Sequence, residues 1–361
     1  MHRQHVREIG IRLIGAVQQS RFWSGRLSGV TVIMNPAAGM LMRHGMVRRL
    51  LADLVQAGVP AGAAVEYGIG SHNPEAELCL TEHPGHGCKL GRLFGQRLLT
   101  DAATVSRPRL LVTVGGDGTH EEVLSGLLDS GCNPAFVRVL RLPMGSGNDV
   151  ADVANADEAV CVLRGETEES SIPVVQVELA GGEKIYAFNI ASFGLDACVV
   201  EWSNRLKRSW LFPGDSYKLI ADLVSLFYVP SFKKGGLQID ANSETIKGSI
   251  VLAAFGATGY RMYGHGKKVL PGSENVCIIQ NMSIPKRIAL KGQFYRGEHT
   301  RHSNTVMRSV SEAIVRFGSS IYFQADGESR VLQAADFPVR MRVLPTAMYH
   351  VSARPDCVQT Q

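Results

Sequence analysis

Between residues 30 and 165 the chain alternates short apolar runs of strand character with stretches whose apolar residues recur at helical spacing. Val30-Thr31-Val32-Ile33-Met34 and Leu110-Leu111-Val112-Thr113-Val114 are nearly continuous and rich in β-branched residues, the pattern of strands buried on both faces. Val137, Leu140 and Leu142 mark a third such run, while Met46 to Leu54 and the segment HEEVLSGLL after Thr119 carry helical spacing. Strand, glycine loop and helix in repetition predict a parallel sheet with helices on its faces. After about residue 170 the pattern becomes two-residue alternation broken by turns: Val174 to Leu179 before Gly181-Gly182, then Ile185 to Ile190, Leu237 to Ile239 and Ile246 to Phe255. This predicts a second, mainly antiparallel and β-sandwich-like domain, with one helical stretch at Tyr217 to Phe227. The expected organisation is a basic N-terminal extension at 1–28, an α/β domain at 29–168, a β-rich domain at 169–338 and a C-terminal segment at 339–361. The strand-like run Val339 to Val343 in that last segment is free to return to the first domain.

Each predicted strand of the first domain ends in a glycine-bearing loop: Asn35 to Gly39, Gly115 to Thr119, and Gly145 to Asp149. In open α/β sheets, ligands bind beyond the carboxyl ends of the strands. Parallel strands would therefore bring the three loops to one rim, where they can surround a single triphosphate. Gly115, Gly116 and Gly118 can take positive φ and let the backbone approach phosphate closely. Asp117 is a hard oxygen donor suited to Mg²⁺, which binds through one or two carboxylates plus phosphate. The helix after Thr119 would turn its amino end to the same rim.

Composition changes this picture little. The chain has 361 residues, 45% of them hydrophobic and 20% charged, as in ordinary globular proteins, and no run reaches the length of a membrane span, about 18 uncharged apolar residues. Cysteines at 79, 88, 132, 161, 198, 277 and 357 form no CxxC pair, which signals neither a disulfide framework nor a zinc site and favours a reducing cytoplasm. His83 and His86 likewise lack a carboxylate or cysteine at metal spacing. The net charge is only +5, yet Arg3, Arg7, Arg12, Arg21 and Arg26 crowd a leader with one acid, Glu8. Val6, Ile9, Leu13 and Val17 share a helical face there. Two uses fit that pattern: docking on an anionic bilayer surface, or an added helix packed on the domain.

Six blocks in fixed order carry a resemblance. They are Asn35-Pro36-Ala37-Ala38-Gly39, Thr81 to His86, Gly115-Gly116-Asp117-Gly118-Thr119, Pro143 to Asp149, Asn189 to Ala197, and Asp326-Gly327-Glu328. In these the chain resembles the diacylglycerol kinase catalytic domain family, which includes sphingosine kinases and bacterial soluble lipid kinases, over most of residues 29 to 350. NAD kinases and phosphofructokinases share a GGDG loop but are not expected to carry the Gly-Asn-Asp and Asp-Gly-Glu blocks in this arrangement. The resemblance implies that Asn35, Pro36 and Gly39 meet the nucleotide, that Thr81 lies near the phosphates, and that Gly145, Ser146, Gly147 and Asn148 border the ribose and adenine. Asp326, Gly327 and Glu328 would complete the nucleotide cleft, and Lys207, beside Arg205 and Arg208, is a candidate for neutralising phosphate charge.

The implied activity is ATP- and Mg²⁺-dependent phosphorylation of the hydroxyl of diacylglycerol or a sphingoid or other long-chain lipid. Asp117 would serve as metal ligand and catalytic acid-base group. The chain departs from the family in two places. Bacterial relatives carry a Pro-x-Ala-x-x-x-Asp-Gly segment whose aspartate is the base; here Val269 to Val276 is shorter, no Asp-Gly follows Pro271, and Glu274 is the candidate substitute. Glu121 stands where relatives usually have asparagine. Phe193, Trp202, Trp210, Leu211, Phe212 and the Tyr217 to Phe227 stretch are candidates for a lipid-binding wall. The expected setting is cytoplasmic and peripheral to the membrane, with a lipid partner, no nucleic acid, and a homodimer left open. Two alternatives compete: a nucleotide- or lipid-binding regulator of weak or lost catalysis, and a kinase of a small molecule such as NAD.

Overall fold

The computed structural model describes residues 2–62, 65–66, 75–145, 152–153, 156–165, 167–207, 236–242, 244–263 and 266–354. The chain forms two compact units, Met1–Ile172 with Thr346–Gln361, and Pro173–Pro345.

The first unit begins with α1 (His2–Gln18), β1 (Gly29–Met34) and α2 (His44–Gln56), followed by β2 (Val65–Glu66), β3 (Ala76–Leu80), α3 (His86–Thr100) and α4 (Ala102–Ser106). Then come β4 (Arg109–Gly115), α5 (Asp117–Asp129), β5 (Val137–Pro143) and α6 (Ala156–Arg164). The strands pair in the order β2-β3-β1-β4-β5, all parallel, and the end of the last strand of the chain adds to β5 in parallel through Tyr349 and His350. Every residue of β4 is buried, as expected for a strand covered on both faces. One face presents Val30, Val32, Met34, Leu110, Val112 and Val114 to a core shared with α1, α2 and α6. The other presents Thr31 and Ile33 to Leu90, Leu93, Phe94 and Arg97 of α3.

One feature of this unit decides between the two uses left open for the leader, and another was not anticipated. The apolar face of the N-terminal leader is spent inward: Val6, Ile9, Leu13, Ile14 and Val17 of α1 are all buried in the core. At roughly 2 kcal/mol per buried aliphatic side chain, lifting this helix away would cost on the order of 10 kcal/mol, so that face does not serve a bilayer. The second is α3, which the sequence reading did not anticipate because Gly87, Gly91 and Gly95 lower helix propensity. They fall four residues apart on one face and let α3 lie directly against α5. A Cβ on Gly91 would sit 2.0 Å from the Val123 carbonyl oxygen, and one on Gly126 of α5 would sit 1.9 Å from that of Cys88.

The second unit is antiparallel. Its elements include β6 (Thr167–Glu178), β7 (Lys184–Ala187), β8 (Ile190–Gly194), α7 (Leu195–Lys207), β9 (Leu237–Ala241), β10 (Glu244–Gly248) and β11 (Ile250–Gly256). They continue with β12 (Arg261–Tyr263), β13 (Lys267–Leu270), β14 (Val276–Gln280), α8 (Ile284–Arg296), β15 (Thr305–Arg308), β16 (Glu312–Arg316), β17 (Ile321–Ala325), β18 (Glu328–Leu332) and β19 (Val339–Ala353). One sheet runs β15-β14-β11-β8-β17-β18; the other runs β10-β9-β16-β19, with β6 pairing to β19 and β7. Side chains from both sheets, among them Phe193, Phe255, Phe323, Ile239, Val315 and Met341, meet in one core, the arrangement of a β-sandwich. Phe193 is 1% exposed and edges against Phe255, so it belongs to this core and not to a lipid-binding wall. Trp202 on α7 is exposed, while Trp210, Leu211, Phe212 and the stretch from Tyr217 to Phe227 lie outside the described residues. No described helix is long and apolar enough to cross a membrane.

Candidate functional site

The strand order decides where the chemistry gathers. Met34 is level with Leu80 on one side and Val114 on the other, and Gly115 is level with Pro143, so four strand ends stop at one height. From β1 the chain leads towards β3 and β2; from β4 it leads towards β5. The connections therefore part above the β1 and β4 pair, the place where open α/β sheets leave a crevice.

Backbone hydrogen bonds tie the loops beyond these ends to one another. Asn35 N donates to Val114 O (2.9 Å), Thr81 N to Met34 O (2.9 Å), Met144 N to Gly115 O (2.6 Å) and Met40 N to Met144 O (2.9 Å). Asn35 adds its side chain: Nδ2 donates to Thr119 Oγ1 (2.9 Å), and Oδ1 accepts from Ala37 N (2.9 Å). Its Nδ2 thus joins two loops while its Oδ1 braces its own, so Asn35 shapes the rim as a positioning residue.

The loops enclose a cavity of about 800 Å³ within the first unit. Asn35, Pro36, Gly39, Thr81, Gly116, Asp117, Gly118, Thr119 and Gly145 all line it, so the first two glycine loops, the Thr81 turn and Gly145, the first residue of the third loop, meet at one place. Gly116 caps α5, and Asp117 is the first residue of that helix. The first-turn N–H groups of a helix lack intrahelical acceptors and favour a bound anion. Asp117 is half-buried at that helix end, and a carboxylate there is stabilised by the helix dipole.

The glycines work differently from the sequence expectation. None of Gly115, Gly116 or Gly118 has positive φ; Gly116 is extended, with φ −99° and ψ −178°. Gly115 is required because a Cβ there would lie 2.5 Å from the Cβ of Thr119, whereas a Cβ on Gly118 would meet nothing within 4 Å. One glycine makes room for the threonine, and the other leaves the helix end open to the cavity.

Several residues that the sequence reading passed over shape this site. Glu122 accepts from Gly85 N (2.9 Å) and Gly87 N (3.0 Å), holding the Thr81 turn against α5. It lines the cavity, while the unusual Glu121 does not. His120 is fully buried beneath the Gly115 loop with Nδ1 2.7 Å from Thr113 Oγ1, and burial pushes its pKa down to about 3. Beyond the Gly145 loop, the buried Asp152 accepts from Arg141 Nη2 (2.6 Å) and from Arg141 N (2.7 Å), and lies 2.6 Å from His350 Nδ1. Burial opposes the charged form of Asp152, but His350 and Arg141 together hold its carboxyl below the ordinary value. His2 and Arg3 of α1 also line the cavity. Only the arginine content of the leader hinted at the last pair.

The remaining predicted residues divide as follows. Ser146, Gly147, Asn148 and the Lys207 side chain lie outside the described residues. Asp326, Gly327, Glu328 and Glu274 belong to the second unit. Asp326 receives the amides of Phe188, Asn189 (3.0 Å) and Ile190 (2.8 Å), so its carboxylate locks the turn before β8; Gly327 follows with φ 95°, and Glu328 is exposed. Glu274 folds back on its own segment, its Oε2 occupying the space a Cβ on Gly272 would need at 2.6 Å.

Comparison with known proteins agrees with this architecture. Residues 29–175 match the "Diacylglycerol kinase catalytic domain", and residues 189–351 match the "YegS C-terminal NAD kinase beta sandwich-like domain". The chain is similar to YtlR of Bacillus subtilis, provisionally named a lipid kinase, at 26% identity over 69% of this chain and 81% of that protein. It is similar to the diacylglycerol kinase of Staphylococcus carnosus at 21% identity over 82% of this chain and 87% of that one. A crystal structure titled as a diacylglycerol kinase from Bacillus anthracis superposes with a TM-score of 0.55 at 14% identity, covering 92% of this chain and 99% of that one.

Proposed function

The chain belongs to the diacylglycerol kinase catalytic domain family and is a kinase of the lipid kinase kind, and from that premise we propose that it transfers the γ-phosphoryl group of ATP to the hydroxyl of diacylglycerol or another long-chain lipid alcohol. The observation that carries this reading is the meeting of the Asn35 loop, the loop after Gly115 and Gly145 around one cavity, with Asp117 at the amino end of α5.

Phosphoryl transfer needs little covalent help from protein; positioning and charge neutralisation do most of the work. The first-turn amides of α5 suit the terminal phosphates, and the bare Cα of Gly118 lets them come close. Mg²⁺, which is satisfied by one carboxylate together with phosphate and water, would be held by Asp117 and would neutralise the transferring group. No cluster of three metal-ligating side chains occurs among the described residues, and this mode of Mg²⁺ binding does not require one. Asp117 also suits the task of orienting the acceptor hydroxyl and taking its proton. By the family resemblance, Gly145 would border the nucleoside.

The shortened segment after Pro271 supports a second reading, that of a nucleotide-binding regulator with weak catalysis. Glu274 is the candidate base of the kinase reading, but it bends over Gly272. Transfer of labelled γ-phosphate to a panel of extracted lipids separates the two. The kinase reading expects one lipid class to be labelled in a Mg²⁺-dependent manner. Measurable MgATP binding without labelling of any lipid would establish the regulator, and failure to bind MgATP would refute both.

A further inference from the structure

The matched family regions begin at residue 29, yet the cavity is lined by two residues far upstream of that point, His2 and Arg3. We propose that α1 is a built part of the nucleotide site, with Arg3 supplying a cationic contact to the bound polyphosphate. This rests on the reading of the cavity as an ATP site.

The charge around the cavity favours this assignment. The described residues around the cavity include three carboxylates, Asp117, Glu82 and Glu122, and Arg3 is the one lysine or arginine among them. Glu122 is already engaged by two backbone amides. A polyphosphate entering such a space needs positive charge beyond that of one Mg²⁺, and a guanidinium can grip phosphate oxygens through two parallel bonds.

The state of Arg3 favours it as well. Its Nη2 stands 4.0 Å from Glu82 Oε1, with the two side chains 70% and 64% exposed. An ion pair this long and this wet contributes little and is easily exchanged for a better acceptor. His2, one residue earlier, has both ring nitrogens enclosed without a hydrogen-bond partner, and its ring lies 4.0 Å from that of His44 on α2.

So does the rigidity of α1. An arginine on a frayed leader would lose entropy on binding, but α1 is anchored by Val6 and Ile9 within two turns of Arg3. Arg12 secures the same helix further along by donating from Nη1 to Val59 O at 2.7 Å. The backbone of Arg3 is therefore held beside the cavity before any ligand arrives, and only the side chain must move.

The test compares Arg3→Ala, Arg3→Lys and the charge-matched control Arg21→Ala, an exposed arginine outside the cavity, by titration calorimetry with MgATP, inorganic tripolyphosphate and adenosine. Arg3→Ala should weaken MgATP and tripolyphosphate roughly ten-fold, the usual scale of a charge-assisted contact, and leave adenosine unchanged. Arg3→Lys should recover part of the loss, and Arg21→Ala should match the natural protein. Arg3→Ala should also act in a Glu82→Gln background; an effect that vanishes there would mean Arg3 merely neutralises Glu82 and would overturn the proposal. Equal affinity of Arg3→Ala and the natural protein for both phosphate compounds would overturn it as well, with the ATP site left standing. Failure of the natural protein itself to bind either compound would instead remove the ATP site and this inference together.

Discussion

Lowering the pH from 7 to 5 should destabilise the first unit through one buried histidine. His120 is 0% exposed, lies under the Gly115 loop and contacts Thr113 Oγ1 through Nδ1 at 2.7 Å. Burial first, and the charge of Arg141 second, push its pKa from 6.5 down to about 3. The sign follows from that direction. As the pH falls through about 6.5 the unfolded chain takes up a proton at this site and the folded chain does not, so stability is full above that pH and declines below it. The decline continues at up to about 1.4 kcal/mol per pH unit until the folded pKa is reached. Between pH 7 and pH 5 the site should therefore remove about 2 kcal/mol. His299 in the second unit is also shifted down by burial and contributes with the same sign, so the total acid loss cannot be assigned to His120 alone. A difference measurement isolates it. Asparagine at position 120 retains a polar atom near Thr113 but does not titrate. Urea unfolding of the natural protein and of His120→Asn at pH 7, 6 and 5 should show the variant less stable at pH 7 yet losing about 2 kcal/mol less on acidification. Identical pH dependence in the two proteins would refute the claim that His120 is buried in its neutral form.

Three further outcomes follow from the site and its support. Asp117→Asn should lower phosphoryl transfer at least about 100-fold in the labelled-lipid assay, with a melting temperature close to that of the natural protein, because the side chain is half-buried at a helix end. Gly115→Ala places a methyl 2.5 Å from the Thr119 Cβ, and should cost about 1–3 kcal/mol while weakening MgATP binding, since the displaced threonine carries the Asn35 link; an unchanged affinity would count against the loop geometry. Gly126→Ala drives a methyl into the Cys88 carbonyl at 1.9 Å, so α3 and α5 must separate, and a thermal melt should fall by several degrees even though the residue lies away from the cavity.

Much of the site was legible in the chain because its parts are local. An apolar, strand-like run that ends in a glycine-bearing loop has one economical structural reading, and the three loops at 35, 115 and 145 were found this way. The elements that escaped notice are those whose reason lies elsewhere in the sequence. Helix α3 carries Gly87, Gly91 and Gly95, which argue against a helix until α5 is placed beside it. The Asp152 clamp joins residues 198 positions apart, and no local pattern announces such a pair. The same holds for Glu122: it and Glu121 are chemically alike, and only the helix rotation set by the contact with α3 turns Glu122 to the Gly85 and Gly87 amides.

By itself the sequence determined the repertoire: which segments are strands buried on both faces, which loops can bare their backbone, and which carboxylate stands at a helix start. Those properties depend on side-chain volume, branching and backbone freedom over a few residues, all of which are local. Tertiary structure decided how the repertoire is used. Parallel pairing joins strands distant along the chain, so the placement of β1 between β3 and β4, and with it the meeting of the loops, is a long-range choice. The fate of α1 was decided at the same level. Its apolar stripe fits a bilayer or a sheet equally well as a pattern, and packing against the core directs it to the sheet, leaving Arg3 at the cavity.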